Sequence, residues 1–122
     1  MSGDIRISVI DDDESFRTAL VGLLLSLGYE AQGFASALEF IDRGGDGSCD
    51  CIITDFNMPG MSGLDLMLQL TARGSAVPVI MVTGHSEPGL EAKASASGAV
   101  CLLIKPFKED ALIVCLERAL KI

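Results

Sequence analysis

Apolar residues in this chain change from continuous runs to a three-and-four-spaced stripe and back about every 25 residues, five times in succession. Such runs are strands buried on both faces, and such stripes are the buried sides of amphipathic helices. The chain therefore reads as repeated strand–helix units around a parallel sheet. Strands are expected at residues 5–10, 30–34, 51–54, 77–82 and 100–104. Parallel neighbours need crossover connections, and the stripes lie where those crossovers must run.

The helices carry boundary signals. In the first, Phe16, Leu20, Leu23, Leu24 and Leu27 share one side and Gly28 ends it. Ser36 and Glu39 form a capping-box pattern for a short second helix that ends near Gly44-Gly45, ahead of a loop to Ser48. Ser62 follows a Pro59-Gly60 turn and caps a third helix through Leu64, Met67, Leu68 and Leu70, closed by Arg73-Gly74. A fourth, capped by Ser86 with Pro88 in its first turn and running to Ser97, has only Leu90 as a large anchor among alanines and serines, so it is expected to be loosely held. Leu112, Cys115, Leu116, Ala119 and Leu120 stripe the last. These units make one α/β domain over residues 1–122, expected to have right-handed crossovers and a flavodoxin-like doubly wound five-stranded parallel sheet of order 2-1-3-4-5 with five helices.

Four of the runs end on side chains suited to a phosphoryl group: Asp11-Asp12-Asp13, Asp55, Thr83 and Lys105. In a parallel sheet these ends share one edge, where doubly wound folds bind ligands. Asp11, Asp12 and Asp55 would crowd together there, and two carboxylates about 4 Å apart repel by roughly 4 kcal/mol at an effective dielectric of about 20. Oxygen-only ligands of such charge density suit a hard divalent ion, magnesium first and manganese as the alternative. With that charge offset, Asp55 becomes a carboxylate nucleophile, while Lys105 and Thr83 donate hydrogen bonds to phosphoryl oxygens. Asp13 and Glu14 read as the cap and first-turn charge of the helix that follows.

The length allows one core that buries roughly two thirds of the unfolded surface. No apolar stretch approaches the roughly 18 residues of a membrane span, and the start Met1-Ser2-Gly3-Asp4 lacks signal-peptide character, so a cytoplasmic, reducing location is expected. Cys49, Cys51, Cys101 and Cys115 contain no Cys-x-x-Cys pair and read as buried thiols; a soft-metal chelate by Cys49 and Cys51 is the weaker alternative. A net charge of −8 argues against this domain gripping nucleic acid and favours basic partners.

The stretches Val9 to Asp13, Asp55-Phe56-Asn57-Met58-Pro59-Gly60-Met61-Ser62-Gly63, Met81 to Gly84 and Lys105-Pro106-Phe107 together resemble the response-regulator receiver domain of two-component signalling, over essentially the whole chain. The resemblance implies that Asp55 accepts phosphate from a phosphohistidine of a sensor histidine kinase or phosphotransfer protein. It also implies that Asp12, Asp55 and the backbone carbonyl of Asn57 hold magnesium, that Asp11 acts through water, and that Thr83 and Lys105 contact the phosphoryl group. The bond before Pro106 is cis in relatives, and Asn57 and His85 occupy positions that flank the attacking water there. Relatives usually carry Tyr or Phe three residues before the lysine; this chain has Leu102, so the signal is expected to pass through the helix over 86–97 instead of a ring movement. Val114 falls off the last stripe and is a candidate for a homodimer face made with the fourth helix. Activity is expected to be limited to self-phosphorylation and autodephosphorylation. The 77–85 stretch resembles receivers attached to DNA-binding domains, so this domain is a candidate N-terminal part of a longer regulator.

Two further classes are open at this level. Asp11-x-Asp13 after the first strand imitates the nucleophile motif of haloacid-dehalogenase phosphohydrolases, although those enzymes usually need a larger core and a cap. A flavin carrier on the same fold would need a Ser/Thr/Gly phosphate loop after the first strand, where three aspartates stand.

Overall fold

In the computed structural model, which describes residues 4–122 apart from Ser86 and the side chain of Asp46, five strands and five α-helices alternate along the chain. They are β1 (Arg6–Ile10), α1 (Glu14–Ser26), β2 (Glu30–Phe34), α2 (Ala37–Asp42), β3 (Cys51–Asp55), α3 (Gly63–Ala72), β4 (Val79–Thr83), α4 (Leu90–Ala96), β5 (Cys101–Ile104) and α5 (Glu109–Leu120). All strands are parallel in the order β2-β1-β3-β4-β5, as expected. β1 lies between β2 and β3, so the winding reverses beside it and opens a crevice at the strands' carboxyl ends.

Strand alternation splits the core in two. Ile7, Val9, Ile53, Ile80, Val82 and Leu103 face α1 and α5, meeting Leu20, Leu24, Leu112 and Leu116. On the other face Ile10, Ile52 and Met81 meet Phe40 of α2, Leu66 and Leu70 of α3 and Leu90 of α4. Every residue of β3 and β4 is buried, which positions their ends rigidly. Each large aliphatic side chain taken out of water contributes about 1.5–3 kcal/mol before chain entropy is counted.

Local chemistry sets the boundaries. Asp13 caps α1 by accepting from Phe16 N at 3.2 Å, and Gly28, at φ +98°, turns the chain out of that helix. Ser36 accepts from Glu39 N at 3.1 Å. In α3 the capping box is reciprocal, Ser62 with Asp65, both hydrogen bonds at 3.1 Å. The loop after α2 contains a 3-10 turn, Gly45–Gly47, where a side chain on Gly45 would collide with the Phe40 ring.

Three expectations need correction. β4 starts after Pro78 rather than at Val77, because proline has no N–H for the ladder; its carbonyl accepts from Ile52 N instead. β5 begins at Cys101, although Val100 N still donates to Val79 O at 2.8 Å. The fourth helix is shorter than the 86–97 span. Gly89, at φ +83°, is its N-cap and cannot continue a right-handed helix upstream, so Pro88 sits in the preceding turn, and the expected cap Ser86 lies outside the described residues. α4 rests on two buried side chains, Leu90 and Ala94.

Candidate functional site

The carboxyl edge of the sheet brings the acidic residues together. The chain leaves β1 through Asp11, whose N–H donates to Phe34 O at 3.1 Å, holding the loop to the end of β2. Its carboxylate is almost wholly buried and fully engaged: Oδ1 accepts from Asp13 N at 2.9 Å and Oδ2 from Lys105 Nζ at 3.0 Å. Arg17 Nη1 clamps the Asp11 carbonyl at 2.7 Å. Asp12, next in the chain, is exposed.

Asp55 closes β3. Its Oδ1 accepts from Asn57 N at 3.2 Å, and Oδ2 lies 3.8 Å from Lys105 Nζ. Oxygens of Asp11, Asp12 and Asp55 lie within 4.8 Å of one another. Burial, and after it the negative charge of Asp11, pushes the Asp55 carboxyl above the ordinary aspartate range; Lys105 and the Asn57 N–H pull the other way without cancelling the rise. One ammonium among three carboxylates leaves the cluster anionic. Oxygen donors this close, open to solvent on the Asp12 side, fit a hard divalent cation.

Lys105 is held from several sides. Its backbone N donates to Thr83 O at 2.7 Å, its peptide bond to Pro106 is cis, and its ammonium stands 4.0 Å from the centroid of the Phe16 ring. Phe16 in turn meets Phe107 edge to face at 6.1 Å. Phe16 was legible in the sequence only as part of a helical stripe. Its position in the first turn after the three aspartates puts it at the same sheet edge and was the available signal.

Thr83 belongs to this edge but not to the cluster's hydrogen bonds. Its buried hydroxyl donates to His85 O at 3.0 Å and accepts from His85 N at 3.1 Å, a closed local turn. Asn57, His85 and Pro106 are exposed in the three loops around the site. Leu102 is half-buried on the α4 side of the sheet, packed against the core cluster that includes Leu90. Gly63, at the start of α3, lies under the site: a Cβ there would stand 2.5 Å from the Asp55 carbonyl oxygen and 3.1 Å from Phe56 Cα. Only glycine lets α3 begin this close to the end of β3.

A family model described as the response regulator receiver domain matches residues 7–117. Among curated relatives, the transcriptional regulatory protein FixJ of Azorhizobium caulinodans is 40% identical over 120 residues, covering 98% of this chain and 57% of the relative. The response regulator protein TodT of Pseudomonas putida is 38% identical over 116 residues, covering 95% and 51%. The chain spans about half the length of the curated relatives it matches. Among solved structures, the crystal structure of FixJ-N superposes with a TM-score of 0.88 at 31% identity, covering 97% of this chain and 94% of that one. The response regulator StyR does so with 0.88 at 36% identity, covering 97% and 60%. Nothing in these comparisons supports a haloacid-dehalogenase reading. With its sheet order, its edge of aspartates and lysine and a match from Ile7 to Glu117, the chain belongs to the response regulator receiver domain family.

Proposed function

We propose that Asp55 accepts a phosphoryl group from the phosphohistidine of a sensor histidine kinase or phosphotransfer protein, in the cytoplasm, and that this modification switches the domain's contacts. The observation that carries this reading is the Asp55 carboxylate at the end of a wholly buried strand, sharing one ammonium with Asp11 and one oxygen cluster with Asp12. Asp12, Asp55 and the Asn57 carbonyl would hold magnesium or manganese, with Asp11 acting through water. Bound there, the ion supplies the positive charge that lets an anionic carboxylate approach an anionic phosphoryl group.

An Asp55 oxygen then attacks phosphorus in line with the departing imidazole nitrogen. The P–N bond breaks, its electron pair stays on the imidazole, and an aspartyl-phosphate remains. Lys105 shifts its ammonium from Asp11 to a phosphoryl oxygen, a short movement because it already stands 3.8 Å from Asp55. Thr83 exchanges the His85 carbonyl for a second phosphoryl oxygen, which loosens the loop leading to α4. Asn57 and His85, exposed beside the site, set how readily water attacks the aspartyl-phosphate. No turnover of external substrate is expected beyond this self-phosphorylation and autodephosphorylation.

With Leu102 in place of a ring, the relay runs through α4, a seven-residue helix whose buried residues are Leu90 and the small Ala94. The exposed Val114 and Ile104 are candidates for a homodimer face beside it. The family members named transcriptional regulators and the share of their length matched here support a role as the receiver of a longer, DNA-directed regulator, while the net charge of −8 argues that this domain itself does not touch the nucleic acid. Incubation with acetyl phosphate, with and without magnesium, tests the central step: a magnesium-dependent acyl phosphate on the wild type and none on Asp55→Asn is expected, with sizing of both forms reporting dimerisation. No acyl phosphate on the wild type would overturn the proposal.

A further inference from the structure

Cys101 opens β5 and Cys115 lies inside α5; the fold turns both toward the same layer between sheet and helices. Cys115 is buried in that layer and Cys101 packs against it. Both line one cavity of about 270 Å³ together with Arg118, whose Nη1 donates to Cys101 Sγ at 3.6 Å. The two sulfurs differ in access, since Cys101 is half-buried while Cys115 is 6% exposed. Burial, and after it the neighbouring Cys101, pushes the Cys115 thiol up to about 12. Cys51, fully buried within β3, is likewise pushed up to about 12 by burial, whereas Cys49 lines a different cavity, with Arg6, Glu30 and Gln32. Of the four thiols expected to be buried, Cys51 and Cys115 are buried, while Cys49 and Cys101 are half-buried.

We propose that Cys101 and Cys115 form a reversible dithiol–disulfide couple that is oxidised by hydroperoxides, with Cys101 as the attacking sulfur and Cys115 as the resolving one. Cys101 opens on the cavity and has a guanidinium at its sulfur to support the charge it carries during attack. Its thiolate takes the terminal oxygen of the hydroperoxide; the O–O bond breaks and the alkoxide or hydroxide leaves, collecting a proton. The Cys101 sulfenic acid stands beside Cys115, whose sulfur attacks it. The S–O bond breaks, hydroxide leaves as water with the Cys115 proton, and the S–S bond forms. Two electrons pass in all from the sulfurs to the peroxide, and a dithiol reductant returns them by exchange. In a reducing compartment such a bond is transient and regulatory rather than a standing staple. While it lasts it clips β5, which carries Leu102 and leads to Lys105, to α5, the helix that carries Val114.

The test uses the whole reduced chain, hydrogen peroxide as probe, alkylation of the remaining thiols and tryptic mapping, since Lys108 places the two cysteines on different peptides. Loss of two of the four thiols, with one cross-link joining the Cys101 and Cys115 peptides within a single chain and reversal by a dithiol, is expected. Cys115→Ser should leave a dimedone-reactive sulfenic acid on Cys101, and Cys101→Ser should leave Cys115 unoxidised. The wild-type map decides even where a variant folds poorly. A cross-link to Cys49 or Cys51, a link between chains, or full alkylation of Cys101 and Cys115 after peroxide treatment that oxidises an exposed reference cysteine overturns the proposal.

Discussion

The ammonium of Lys105 sits 3.0 Å from Oδ2 of Asp11, 94 positions away in the chain, and Asp11 is 1% exposed. Taking the lysine away strands a buried carboxylate, and breaking one side of such a pair costs far more than the pair itself contributes. Lys105→Met is therefore expected to lower stability by about 3 kcal/mol in metal-free buffer. Urea denaturation checks this; a change of under about 0.5 kcal/mol would mean that water already serves Asp11.

Asp55 has the opposite sign. Its carboxyl is raised above 3.8 by burial first and Asp11 second, so the folded chain holds that proton to higher pH than the unfolded one. Below about pH 3.8 its ionisation costs the fold nothing, and the cost grows as the pH rises through the folded value. Asp55→Asn removes it. The variant should melt about 3 °C or more above wild type at pH 7 without divalent ions, with the gap closing toward pH 4. Equal melting temperatures at pH 7 would contradict the electrostatic account of this cluster.

Asp12 separates binding from folding. It is exposed, so Asp12→Ala should change metal-free stability by about 0.5 kcal/mol or less. Magnesium at about 100 times its dissociation constant should stabilise wild type by about 2.7 kcal/mol, and at the same concentration should do little for this variant. Thermal melts across a magnesium series, with calcium for comparison, supply the measurement.

Two glycines should respond in opposite directions. Gly63→Ala drives a Cβ into the Asp55 carbonyl and the Phe56 backbone, neither of which can step aside, at a cost of about 3 kcal/mol and with loss of acetyl-phosphate reactivity. Gly22, in the middle of α1, has open space where an alanine methyl would stand, and Gly22→Ala should gain about 0.5–1 kcal/mol from helix propensity alone. Urea denaturation of both variants, with acetyl-phosphate labelling of the first, checks the pair.

For α4, amide exchange is the informative observable. Seven residues resting on Leu90 and Ala94 should exchange faster than α1 or α5, and Leu90→Ala, about 3 kcal/mol of lost packing, should release the helix before the sheet. A beryllofluoride adduct at Asp55 should change protection across 90–96. Identical protection with and without the adduct sinks the proposed relay.

Much of the fold was legible because its determinants are local. Capping by Asp13, Ser36 and Ser62 depends on atoms three residues away, and the buried runs of β3 and β4 announce strands covered on both sides. The ends of β4 and α4 were misplaced where a local signal met a stronger one: Pro78 withholds a ladder donor, and Gly89 adopts a left-handed φ that periodicity does not reveal. Asp11, Asp12, Asp55 and Lys105 were legible as a group, since strand ends in a parallel sheet must converge.

By itself, then, the sequence determined the alternation of strands and helices and the residues delivered to the carboxyl edge. Tertiary structure alone decided the strand order and which partner each acquires: Lys105 on Asp11 and over Phe16, Thr83 turned back to His85, Cys101 and Cys115 on one cavity. The physical reason is range. Hydrogen bonding within a turn and the period of an apolar stripe are set by near neighbours, whereas contacts across tens of residues depend on register and packing that only the closed core defines.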